Sequence, residues 1–212
     1  LGAIGARVRY RFAHDRVQQA VYSLIAEADR QAIHWRVGRL RLRNTPPEQR
    51  EEQIFELVSQ LNHGIGLLSS QAERDELAEL NLLAARRAKQ SAAYGPALAY
   101  ARLGCELLRE DSWQSQYDLA LGLHLAAAEA AYLNGDEPGM AGLIAIVLQH
   151  ARSLLDKVTA YEVLIRAYRS IEGAPLALDV LRQLGLSFPS DPGAADLRRG
   201  LADLDGTGDT VS

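Results

Sequence analysis

The residues of this sequence that could do chemistry are few and scattered. His14 and Asp15 stand side by side, the types from which a general base and its orienting carboxylate are built, but neighbours at a helix start point apart and N-capping accounts for Asp15. His34, His63, His124 and His150 stand singly, without the close spacing by which a helix offers two ligands to zinc, and read as structural or surface residues. Cys105, the only cysteine, sits among Leu103, Leu107 and Leu108 and reads as a small core residue, not a nucleophile. The sequence contains no Gly-x-Ser-x-Gly, His-Glu-x-x-His, kinase catalytic loop, Cys-x-x-Cys or Gly-Lys-Ser/Thr phosphate loop. The expectation is therefore a non-enzyme, with no catalytic residue, metal or cofactor.

Four further residues are candidates for holding a partner. Arg86 and Arg87, with Glu129 and Tyr132, fall near the ends of the first helices of successive helical hairpins, the helices that line the concave side of a tetratricopeptide-like solenoid. Arg and Tyr commonly anchor protein interfaces. The same pattern also suits solvated helix surface and, for Tyr132, packing between helices.

Composition says what elements carry these residues. The 212 residues include 34 Leu and 33 Ala against 10 Val, 9 Ile and 4 Thr, so good helix formers dominate and an all-α chain is expected. Val8 to Phe12 alternates apolar and basic residues and reads as a short strand. Asp15 then opens a helix with Val17, Ala20, Val21, Leu24 and Ile25 on one stripe. A second helix runs from about Asp29, with Ile33, Val37 and Leu40 inward, and stops before Asn44-Thr45-Pro46-Pro47. A third begins at Pro47, aligns Ile54, Phe55, Val58 and Leu61, and closes at Gly64 and Gly66.

From about Ala72 the pattern becomes a succession of helix pairs. Leu80, Leu83, Ala84 and Ala88 mark a helix to Gln90, Ser91 to Gly95 turns the chain, and Pro96 opens a return helix to Leu108. The next pair is Trp113 to Leu133 and Pro138 to Arg152, about Asn134-Gly135-Asp136; the third is Lys157 to Ile171 and Pro175 to Leu184, about Glu172-Gly173-Ala174. Gly95, Gly135 and Gly173 recur 40 and 38 residues apart, a period that indicates an α-solenoid. Ala141 and Ala177, following Tyr132 and Tyr168, are expected to be the small residues that let paired helices approach. Ser190 to Gly193 reads as a loop, Ala194 to Leu204 as a lone helix, and the end as frayed.

Charge is uneven. Residues 1–43 carry nine Arg against Asp15, Glu27 and Asp29, a balance of +6, while the whole chain is -4. The uncharged run Pro138 to Ala151 is 14 residues, too short for a membrane span. A lone cysteine suits a reducing cytoplasm. Leu1 opens the chain and Met140 is the only methionine, so a segment of a longer protein is expected.

Three stretches together carry a resemblance: Tyr10-Arg11-Phe12-Ala13-His14-Asp15-Arg16-Val17-Gln18-Gln19-Ala20 with Tyr22-Ser23-Leu24, then His34 to Arg39, then Leu80-Asn81-Leu82 with Ala88 to Tyr94. They resemble the segment after the nucleotide-binding module in large bacterial and fungal signalling proteins. In those proteins a serine/threonine kinase-like domain is followed by a STAND-type AAA ATPase, a helical-repeat region, a GAF domain and often a histidine kinase. The resemblance covers roughly residues 8–189 and includes Leu181-Arg182-Gln183-Leu184-Gly185-Leu186 and Phe188-Pro189. It implies that residues 1–43 end a winged-helix-like element closing an ATPase module. The expected organisation continues with a connecting helix over 44–70, tetratricopeptide-like repeats over 71–189, and a loop, short helix and tail over 190–212. The sequence lacks a phosphate loop, so nucleotide binding does not carry over.

The function expected from these features is a non-catalytic interaction and regulatory module of a multidomain signalling ATPase or kinase. Its partner would be a protein or neighbouring domains of the same chain, with no membrane, and a homodimer could form through exposed repeat ends. The alternative is nucleic-acid binding through the basic start, against which stand the acidity of the whole chain and the incompleteness of the winged-helix-like element.

Overall fold

A computed structural model describes residues 22–167 and Arg182. The strand at Val8 to Phe12, His14 and Asp15, residues 1–21 of the winged-helix-like element, the third turn with its return helix, and the segment from Ser190 onward lie outside the described residues. Within them every regular element is helical. The chain divides into two compact units, one ending at Ala84 and the other beginning at Ala85. No helix among the described residues is long and apolar enough to cross a membrane.

In the first unit, α1 (Glu27–Asn44) packs against α2 (Ile54–His63). The stripe Ile33, Val37 and Leu40 does not face inward: these residues are 48%, 37% and 55% exposed, and Gly38 and Leu42 are buried instead. The reason is steric. A Cβ on Gly38 would lie 2.7 Å from Leu61 Cδ2, so this bare position is where α2 comes closest. Tyr22 and Ser23 are helical, but Leu24 and Ile25 lie past that helix, and Leu24 is exposed.

Pro47 opens only a one-turn helix, Pro47–Arg50, separated from α2 by a turn ending at Gln53. Once α2 starts at Ile54, its buried face is Ile54, Leu57, Val58 and Leu61, and Phe55 turns outward. Gly64 ends α2 where a side chain would strike Trp35, 2.7 Å from its Cβ, and a short 3-10 turn follows at Ile65–Leu67. Helix α3 (Gln71–Gln90) then begins. Asn81, fully buried on α3, exchanges two 3.0 Å amide hydrogen bonds with Asn62 of α2 and donates to the Leu77 carbonyl at 2.9 Å.

The second unit takes the last turns of α3 and adds α4 (Tyr94–Leu107), α5 (Tyr117–Leu133), α6 (Glu137–His150) and α7 (Leu154–Ala167). Helix α5 is central, packing on α4, α6 and α7. Its buried residues are Ala120, Leu123, Ala127, Ala128, Ala130 and Ala131. Alanine favours the helix and admits neighbours closely, while Leu98, Met140, Ile144 and Val147 fill the space around it. Gly104 of α4 does the same for Leu123, whose side chain occupies the volume a Cβ would need.

Ala141 is exposed, so the close approach of α6 to α5 rests on the alanines of α5 and not on α6. The expected helix from Trp113 to Leu133 is broken at Gln116, whose φ of -139° and ψ of 50° separate the one-turn helix Ser112–Ser115 from α5. The first hairpin turn also differs from expectation. Gly95 lies inside α4, and the left-handed residue is Ala92, with φ 56°, just as Gly135, with φ 77°, serves the next turn. Asp136 caps α6 by accepting from the Gly139 N–H at 3.0 Å and pairs with Arg102 of α4 at 2.5 Å. Helix α7 starts at Leu154, earlier than Lys157.

Candidate functional site

A groove of about 210 Å3 runs over the second unit. Helix α3 contributes Ala85, Arg86 and Lys89, α5 contributes Gly122, Leu125, Ala126 and Glu129, and α7 contributes Thr159, Glu162, Val163 and Arg166. On both α5 and α7 the positions are i, i+3, i+4 and i+7, one helical face each. The floor is small or apolar and the rim is charged.

Glu129 is the centre of the rim. Its carboxylate receives Lys89 Nζ at 2.6 Å from one side and Arg166 Nη1 at 3.6 Å from the other, and Arg166 also reaches Glu162 at 3.4 Å. Such partly exposed pairs are worth roughly 0–1 kcal/mol each, so they order the rim more than they hold the fold. Arg86 is exposed and has no ion-pair partner among the described residues. The groove therefore offers a guanidinium beside an apolar floor, an arrangement that can receive an apolar side chain flanked by a carboxylate.

Of the four residues expected to meet a partner, Arg86 and Glu129 line this groove and Arg87 and Tyr132 do not. Arg87 is exposed and reaches Gln90 Oε1 at 3.5 Å. Tyr132 packs against the hydrophobic core, and its hydroxyl donates to the Arg166 carbonyl of α7 at 3.1 Å. Lys89 and Arg166 were missed. Spacing carries only part of their signal: Lys89 precedes Glu129 by 40 residues, the separation of Gly95 and Gly135, but spacing does not say which helix face a residue takes.

No protein-family model matches the chain. No solved structure matches it either. The sequence is similar, at 28% identity over 169 residues, to the hybrid signal transduction histidine kinase G of Dictyostelium discoideum. That similarity takes in 68% of this chain but only 5% of the relative's length. The likeness is thus to a small segment of a large signal-transduction protein.

The four described histidines, isolated in sequence, fall into two clusters. His34 and His63 stack with ring centroids 4.6 Å apart. His34 donates through Nδ1 to Gln60 Oε1 at 2.8 Å, which leaves Nε2 to accept from the Tyr22 hydroxyl at 2.5 Å. His124 and His150 lie on Trp113, at 5.0 and 4.7 Å between centroids. Burial pushes the His124 imidazole below its ordinary range, with the charge of His150 acting in the same direction and the Ala120 carbonyl opposing. Beside this cluster Arg152 stacks on the Tyr117 ring at 4.1 Å, and the Tyr117 hydroxyl donates to Asp156 at 2.7 Å. Among the described residues no group of three His, Cys, Asp or Glu could hold a metal. Burial pushes the Cys105 thiol up to about 12, so it stays a thiol near neutral pH.

Proposed function

We propose that this chain is a non-catalytic interaction and regulatory module within a multidomain signal-transduction protein, a kinase or STAND-type ATPase. The observation that carries the reading is the groove in which Arg86, with no ion-pair partner among the described residues, stands beside the Glu129 rim and a floor of Ala85, Gly122, Leu125, Ala126 and Val163. The similarity to a segment of a hybrid histidine kinase supports the signalling context. Helical hairpins related at about one repeat suit a tetratricopeptide-like solenoid, whose units can relay a change in packing along the array. On this reading the partner is a protein or a neighbouring domain, the compartment is the cytoplasm, and the repeat ends offer a route to a dimer.

Isothermal titration of this chain with the separately expressed segments that flank it in its parent protein tests the proposal. Micromolar affinity for at least one of them is expected, weakened roughly ten-fold by Arg86→Glu, as for an interface anchor. Absence of binding to every segment, or equal affinity of both chains, would overturn it.

A further inference from the structure

A second surface, separate from the groove at Glu129, carries an inference of its own. On α1 the residues Ala32, Trp35, Arg36, Arg39 and Arg43 share one face, and with Leu67 of the 3-10 turn they line a groove of about 470 Å3. The arginines elsewhere on α1 are supplied with carboxylates: Arg30 pairs with Glu27, and Arg41 with Glu56. On the groove face, among the described residues, only Arg39 has one, Glu76, while its guanidinium also stands 5.6 Å from the Trp35 ring centroid.

Arg36 and Arg43, on either side of Arg39, have no carboxylate partner among the described residues. Arg43 gains something from the helix C-terminus, where a cation is favoured, and its Nε reaches the Arg39 carbonyl at 3.5 Å. Arg36, in mid-helix, gains neither. Three guanidinium groups on one helical face repel each other, and among the described residues only the middle one is paired with a carboxylate. Trp35 is fixed beneath them because its backbone and Cβ lie against Gly64.

We propose that this groove binds an acidic amphipathic helix of a partner protein, two of whose carboxylates pair with Arg36 and Arg43 while an apolar residue between them rests on Trp35 and Leu67. Arg36 and Arg43 are seven residues apart, about 10 Å along the axis, which is the separation of two carboxylates at i and i+7 on a second helix. The chemistry favours a peptide over a nucleic acid. A phosphate backbone would need a longer positive track, and here Glu76 stands on the basic face and the two unpaired cations flank an aromatic and apolar floor.

The test is fluorescence anisotropy with the whole 212-residue chain at low ionic strength, about 0.02 M. The probe is a labelled synthetic helix about four turns long, with Glu at i and i+7 and Leu between them. Controls are the same peptide with Gln for Glu and a single-stranded oligonucleotide of similar length. The Glu peptide is expected to bind about ten-fold more tightly than the Gln peptide, with that advantage lost in Arg36→Gln/Arg43→Gln and kept in Arg109→Gln, a change at a surface arginine that lines neither groove and pairs with Asp111. Should the double variant fail to give a native circular dichroism spectrum, Arg36→Gln alone is expected to weaken the Glu peptide about three-fold. Equal binding of the Glu and Gln peptides, or binding indifferent to these arginines, overturns the proposal. Preference for the oligonucleotide, lost in the double variant, overturns it in favour of a nucleic-acid site.

Discussion

Ala92 holds in its turn the position that Gly135 holds in the next hairpin. Both have positive φ, 56° and 77°, and each is followed by an N–H that reaches back five residues, Ala93 to Ala88 and Asp136 to Ala131, at 2.9 Å in both cases. Each also donates three residues back, Ala92 to Lys89 and Gly135 to Tyr132. The two helices thus end in the same Schellman geometry, once with the residue it favours and once without.

A Cβ in the left-handed region costs roughly 1–2 kcal/mol. Ala92→Gly is therefore expected to stabilise the fold by about 0.5–1 kcal/mol once the extra freedom of the unfolded glycine is set against it. Gly135→Ala should destabilise by about 1 kcal/mol. A Cβ there meets nothing within 4 Å, so the loss would be purely conformational. Thermal melts of the two variants check the pair, and a lowered Tm for Ala92→Gly would contradict the assignment.

Gly104 and Leu123 give a packing prediction. Leu123 is fully buried and fills the space of the missing Cβ. Gly104→Ala is expected to cost about 1–3 kcal/mol through overpacking. Leu123→Val, which withdraws the clashing methyl, should cost less in the Gly104→Ala background than in the wild type. A denaturant-based double-mutant cycle measures that coupling, and simple additivity would mean that the two side chains do not compete for one volume.

The helical pattern was legible because 34 Leu and 33 Ala leave few other options, and because Asn134-Gly135-Asp136 and Thr45-Pro46-Pro47 punctuate it. Orientation was harder to read. On α1 the apolar stripe Ile33, Val37 and Leu40 suggested the buried face, but the neighbour sits where Gly38 has no side chain, and periodicity gives a glycine no weight. At Ser91 to Gly95 the glycine drew attention away from Ala92, since Ala normally avoids positive φ. Arg86 and Glu129 could be placed by repeat spacing. Lys89 and Arg166 needed the helix faces, which spacing alone does not orient.

The His124 cluster predicts a pH response. The folded His124 is held below its ordinary value of 6.5, chiefly by burial, so between that value and its folded one the unfolded chain binds more protons. Stability is present above about pH 6.5 and falls as the pH drops below it. Arg152 and Asp156 keep opposite charges nearby through this window, with Asp156 depressed mainly by the Tyr117 hydroxyl. Tm should therefore fall between pH 7 and 5.5, and His124→Gln should flatten that part of the curve. An unchanged slope in the variant would exclude His124 as its source.

Asn81 is a fully buried amide with three hydrogen bonds, two of them exchanged with Asn62. Asn81→Ala removes both of the hydrogen bonds that the partly buried Asn62 amide exchanges with it and is expected to cost about 1–3 kcal/mol. Replacing both residues by Leu removes donors and acceptors together and should cost less than the sum of the single Leu substitutions. Chemical denaturation of the three variants decides it, with full additivity as the contrary result.

Glu129 distinguishes a surface that serves a partner from one that serves the fold. Its carboxylate is the shared acceptor of Lys89 and Arg166, yet all three side chains are partly exposed, so Glu129→Gln should change stability by less than about 1 kcal/mol. The same change removes one of the two carboxylates from a groove that also holds three cations, Arg86, Lys89 and Arg166. Affinity for an acidic partner should rise and become more sensitive to salt, because a negative charge no longer opposes it. Thermal melts and titrations at two ionic strengths read the two effects separately. A stability loss well above 1 kcal/mol with unaltered binding would make Glu129 a structural link between α3, α5 and α7 and would remove it from the interaction surface.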